Sequence, residues 1–133
     1  VKEFEELDYK VELGFFPPCI KKGLEGVEDG KKRFLFILLN FLKSVGWNYE
    51  ETEDLAKEWN EKNEEPLKET YLLSQLSWHK RQTEKRLPPN CSNIAYYKDL
   101  RLCEKDNLCQ RIKNPANYAV RKSRYTSKKK KAK

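Results

Sequence analysis

The sequence predicts a mainly α-helical, compact domain with an irregular, cysteine-bearing C-terminal third. Three observations carry that reading. The run FLFILLNFL at 34–42, with Val45 beyond it, puts apolar residues on almost every face of a helix over 31–45. Two further stretches, 49–63 and 66–81, carry helix-start chemistry ahead of thinner apolar stripes. From Leu87 to Pro115 the helical period is lost, and LPPNCSNIAYYKDLRLCEKDNLCQRIKNP holds three of the four cysteines. A chain of 133 residues is long enough for one domain with a real core. With no Met and Val at position 1, it reads as a fragment or a processed chain.

Residues 1–14, beginning VKEFEELDYKVEL, are acidic and loosely amphipathic, a short helix or a linker ahead of the domain. Pro suits the first turn of a helix, so Pro17 and Pro18 open one running from about Pro18 to Val27. EDGKKR follows as a turn centred on Gly30. The helix over 31–45 is central and buried, and Gly46 stops it. Asn48 with Glu51 forms a capping box for the helix at 49–63, whose stripe is Leu55, Ala56 and Trp59. Asn63 is the expected cap of a helix from Pro66 to about Arg81, with Leu67, Tyr71, Ser74 and Trp78 on one face. The cysteine region reads as loops with one or two short helices, and residues 123–133 as a disordered Lys-rich tail.

The net charge is +7, and its location matters more than its size. RKSRYTSKKKKAK at 121–133 carries eight basic groups and no acid. That leaves twenty Lys and Arg against twenty-one Asp and Glu elsewhere, a net of −1. Any anionic partner must therefore meet local patches. The tail suits non-specific nucleic-acid binding through counterion release, or plain solubility. No apolar run reaches the 18 or more residues of a membrane-spanning helix. Paired carboxylates in a cleft pattern, a nucleophile motif and a Walker loop are all missing, so nothing in the chain points to catalysis.

The cysteines are spaced C-x71-C-x11-C-x5-C. Disulfides suit small secreted domains, although an intracellular hyperthermophile would also tolerate two. Buried free thiols are a second possibility. A four-thiolate metal site is the third. Structural zinc sites show tight C-x2–4-C pairs, and none is present. Wide, uneven spacing suits an iron–sulfur cubane somewhat better, because its irons need thiolates from separated directions. Cys19 and Cys91 each follow a Pro-Pro pair, which would hold the thiolate in a first helical turn or a stiff segment.

FPPCIK at 16–21 and PPNC at 88–91, followed by Cys103, Cys109 and NPANY at 114–118, resemble the C-terminal domain of the large subunit of archaeo-eukaryotic DNA primase. The resemblance covers residues 15–122. It implies a [4Fe-4S] cluster held by Cys19, Cys91, Cys103 and Cys109. It also implies a non-catalytic role: binding single-stranded template DNA and the 5′-triphosphate of the RNA primer, or an initiating nucleoside triphosphate, for a catalytic partner chain or domain. A cytoplasmic, DNA-associated protein of an archaeal thermophile fits that reading, and the abundance of Lys and Glu agrees. The chain departs from the family where its eukaryotic members are His-rich. Its turn reads EDGKKR, Tyr71-Leu-Leu-Ser-Gln75 replaces a segment ending in His, and Asn114 takes a His position.

Lys31, Lys32 and Arg33 stand at a helix start, where the dipole prefers acids. Amides and cations together make an anion-binding corner, with Arg33 the best match to phosphate oxygens; the bland alternative is a solvated turn. HKRQTEKR at 79–86 is a second basic run beside Trp78. Trp78, His79, Lys80 and Arg81 would track a strand and stack a base, or Trp78 would simply close a core stripe. His79, the only histidine, is expected at the surface or facing phosphate. Tyr97 and Arg101, between the cysteines, are candidate nucleic-acid contacts, and packing competes for Tyr96 or Tyr97. Two other function classes stay open: an iron–sulfur electron-transfer or sensor protein, and a zinc-stabilised single-strand-binding module.

Overall fold

The computed structural model describes residues 9–82, 84 and 86–131, with side chains described as far as Arg124. Five helices form the fold, and no strand occurs among the described residues. They are α1 (Pro18–Leu24), α2 (Lys31–Ser44), α3 (Tyr49–Lys62), α4 (Glu69–Arg81) and α5 (Pro115–Lys131). Short 3-10 turns sit at Leu13–Phe15 and Leu108–Arg111.

The apolar run makes α2 the centre of the core. Phe34, Leu35, Ile37, Leu38, Leu39, Phe41 and Leu42 are all buried on it. Each such side chain contributes about 1.5–3 kcal/mol relative to exposure. Phe41 meets Phe16 edge-on with ring centroids 4.7 Å apart, and Phe34 meets Trp59 of α3 at 5.4 Å. α1 crosses so close that a Cβ on Gly23 would sit 2.0 Å from the Phe34 ring. The Trp59 indole donates to the Gly23 carbonyl at 2.9 Å, which joins α3 to α1.

Several boundaries differ from the expectation, each for a local reason. α1 stops at Leu24 rather than Val27, because Gly26 turns the chain at φ 127°. Asn48 and Glu51 do form the reciprocal capping box of α3. Asn63 does not cap α4; its side-chain oxygen accepts the Val27 N–H at 2.7 Å. The Asn60 side chain holds both backbone groups of Leu67, so α4 begins only at Glu69. The buried stripe of α4 is Leu72, Leu76 and His79, one position on from the expected face, and Trp78 is 43% exposed.

The ends depart further. Residues 1–8 lie outside the described residues. From Tyr9 onward the expected linker belongs to the fold. Val11 is buried, its N–H donates to the Val45 carbonyl at 2.9 Å, and its carbonyl accepts the Trp47 indole at 2.8 Å. At the other end α5 runs through Lys131, across most of the stretch expected to be a disordered tail. Residues 116–131 hold no Gly or Pro and are rich in Lys and Arg, so nothing local stops a helix already anchored by buried Ala116, Tyr118 and Ala119.

Candidate metal centre and nucleic-acid face

Separate segments deliver the cysteines. Cys19 lies in the first turn of α1, behind Pro17 at the cap and Pro18 at the first helical position. Cys91 follows the Pro88–Pro89 segment, and its N–H donates to the Lys113 carbonyl at 2.7 Å. The Cys103 and Leu102 N–H groups both donate to the Tyr97 carbonyl, at 3.3 and 2.8 Å. Cys109 sits in the 3-10 turn, with its N–H on the Asp106 carboxylate at 3.1 Å. All four are partly buried free thiols lining one cavity, whose wall is completed by Pro17, Tyr97, Ile112 and Pro115 with one acid and one base, Glu104 and Lys105.

The charge balance of that cavity favours a cationic occupant. Burial pushes the Cys19 thiol far above its ordinary range, and the neighbouring Cys91, Cys109 and Cys103 add like-charge repulsion. Cys91 is raised to about 11 by burial and by Cys109 and Cys103. Cys109 is also raised, chiefly by burial. Four thiolates become compatible there only with strong positive charge between them. Backbone hydrogen bonds offset part of this at three of the thiols, from Ile20 to Cys19, within Cys91 itself and from Asp106 to Cys109. Among the described residues, no three His, Cys, Asp or Glu side chains form a group that could hold a metal ion.

Side chains, rather than regular secondary structure, hold this region. Tyr97 is 1% exposed and its hydroxyl donates to the Pro89 carbonyl at 2.6 Å. That is a packing role, which removes it from the candidate nucleic-acid contacts. The buried Asn114 amide donates to the Pro88 carbonyl at 2.7 Å and to the Asn90 side chain at 3.0 Å, and its own oxygen caps α5 through the Ala116 N–H. The Tyr118 hydroxyl donates to Asp106 at 2.6 Å.

The basic candidates separate into two groups. At the start of α2, the Lys31 ammonium bonds the Glu28 carbonyl, Lys32 stands over the Tyr71 ring at 4.6 Å, and Arg33 donates to the Ala95 carbonyl at 2.7 Å. That helix start has no side-chain cap and no acid in its first turn. The α4 group lies at the far end of α2, where Lys43 bonds the His79 and Gln82 carbonyls. Ten residues of α2 place it about 15 Å from Arg33. Trp78, Lys80 and Arg81 are exposed there, with Lys80 over the Tyr49 ring at 4.6 Å; Lys85 lies outside the described residues. His79 corrects the surface expectation. It is 8% exposed, and burial with the nearby Lys43 lowers its pKa to about 4, so it is a neutral core imidazole. Arg101 is exposed at φ 59° and shares a groove with Glu28, Asp29 and Asp99, a poor setting for an anion.

Residues 9–132 match the family described as the C-terminal domain of the large subunit of eukaryotic and archaeal DNA primase. The chain belongs to this family. A relative, the DNA primase large subunit PriL of Methanosarcina mazei, is 30% identical over 125 residues. The match takes in 91% of this chain and 32% of the relative, so the chain spans about a third of that protein's length. No solved structure matches. The chain matches the C-terminal domain of the large subunit, and no helix of its described residues is long and apolar enough to cross a membrane.

The primase domain also carries surface residues that the sequence reading missed. Phe36 is 46% exposed on α2 and lies against Tyr96, ring centroids 5.9 Å apart and planes 33° apart, with exposed Ile94 nearby in the chain. The signal was present in the pattern. Lys32, Phe36, Asn40 and Lys43 are spaced by four, four and three, a polar helical stripe with one aromatic in it. Arg33 and Tyr96 tie this stripe to the cysteine-bearing loop.

Proposed function

We propose that this primase domain holds a [4Fe-4S] cluster on Cys19, Cys91, Cys103 and Cys109, and binds template DNA and the primer 5′-triphosphate in support of primer initiation by a catalytic subunit. The observation that carries the reading is the convergence of four free thiols, from segments up to 90 residues apart, on one cavity. A single zinc ion draws its sulfurs to within about 2.3 Å of one point. The cysteines have no tight pairs in sequence, yet all four line one cavity, which suits the larger cubane better than a single zinc. When bound, the cluster would supply the positive charge that four thiolates require.

For the nucleic acid, the uncapped start of α2 offers amides and Lys31, Lys32 and Arg33 to a phosphate group. Arg33 uses one donor on Ala95, which orients the rest of its fork. Exposed Phe36, backed by half-buried Tyr96, gives an unstacked base an aromatic surface beside those cations.

The test has two parts. Protein purified without oxygen should be brown, with about four irons and four sulfides per chain; one zinc, or no metal, overturns the cluster reading. In a binding titration with a 5′-triphosphate RNA–DNA duplex, Arg33→Ala should bind roughly tenfold more weakly, the loss of one charge-assisted contact. Arg33→Lys should recover part of that loss. Binding by Arg33→Ala equal to wild type sinks the site assignment.

A further inference from the structure

Asp106 lies three residues before Cys109, and both of its carboxylate oxygens are engaged. Oδ1 accepts the Cys109 N–H at 3.1 Å, and Oδ2 accepts the Tyr118 hydroxyl at 2.6 Å. Lys122 in turn donates to the Tyr118 hydroxyl at 3.3 Å. Tyr118 is 1% exposed on α5, so the chain of bonds fixes the carboxylate from a rigid helix. We propose that Asp106, held by Tyr118, is a positioning residue for Cys109 that lowers the reduction potential of the cluster, a role that rests on the cluster reading above.

The Cys109 N–H is turned onto the Asp106 carboxylate, so that amide is withheld from the Cys109 sulfur and the carboxylate is held beside the ligand. A fixed negative charge beside a cluster that becomes more negative on reduction opposes the added electron. A simple turn cap does not require this charge, because Asn caps a turn as well as Asp does. Asp106→Asn therefore separates capping from electrostatics.

The experiment is a redox titration of the full chain carrying its cluster, with the rate of iron loss to a chelator measured alongside. Asp106→Asn should load iron like wild type and show a more positive potential. Tyr118→Phe keeps the ring in the core but releases the carboxylate, and should lose iron several-fold faster. An Asp106→Asn potential equal to wild type overturns the proposal. Should Asp106→Asn fail to load, Tyr118→Phe decides: iron loss at the wild-type rate overturns it, and faster loss supports it. Wild-type protein without iron and sulfide would overturn the cluster reading and this proposal together. A loaded wild type with an unmoved Asp106→Asn potential would overturn this proposal alone.

Discussion

Around α2 the chain is held by burial: Phe16, Ile20, Phe34, Leu38, Phe41, Leu42, Trp59 and Leu76 pack into one continuous apolar core. Between Leu87 and Asn114, all of them described residues, one four-residue 3-10 turn is the only helical element, and few large apolar side chains are buried. What joins that region is a thin apolar contact of Tyr97, Leu100 and Leu102 with the core, plus single hydrogen bonds from Tyr97, Asn114, Asp106 and Tyr118, each worth about 0.5–1.5 kcal/mol net. The body therefore has its stability built in, whereas the cysteine region relies on whatever its thiols hold.

Removing the cluster tests this contrast most severely. Chelation, or Cys103→Ser, should raise hydrogen exchange across 87–114 by orders of magnitude while the α2 and α3 amides stay protected. Equal loss of protection in both regions would mean that the body also needs the metal. Within the body, Phe34→Ala should lower stability by about 3–5 kcal/mol in denaturant unfolding, because it empties the contact with Gly23 and Trp59.

His79 comes next. Its folded pKa is about 4 against an ordinary 6.5, so below pH 6.5 the unfolded chain takes up the proton first. Its stabilising effect is complete above that value and is lost as pH falls from 6.5 towards 4, by on the order of 2–3 kcal/mol. His79→Gln should flatten that part of a stability–pH curve. The smallest effect is expected at Asn114→Ala, about 1–3 kcal/mol, from leaving the Pro88 carbonyl and the start of α5 without their donor and cap. That loss should appear in exchange at 87–114 ahead of α2.

Much of the body was legible because its signals are local. The Asn48–Glu51 box, the Pro-led start of α1 and the apolar run of α2 all act within a turn or two of chain. Where the reading failed, a distant group had claimed the residue. Asn63 was taken by Val27, Leu67 by Asn60, and Tyr97 by Pro89. His79 carried a polar label into a position that α4 rotates towards Leu39 and Lys43 of α2. Phe36 did the reverse, an apolar residue left at the surface between Lys32 and Asn40.

By itself, then, the sequence determined the helical class, the central place of α2, the four cysteines as a set and the family to which they belong. Those features depend on residue type and short spacing, which backbone geometry turns directly into structure. Tertiary structure alone decided which basic residues stand beside exposed aromatics, which histidine and tyrosine are buried, and how Asp106 and Tyr118 hold Cys109. The pairings of Arg33 with Ala95 and of Phe36 with Tyr96 join segments about 60 residues apart, and no periodicity along the chain records where those segments will meet.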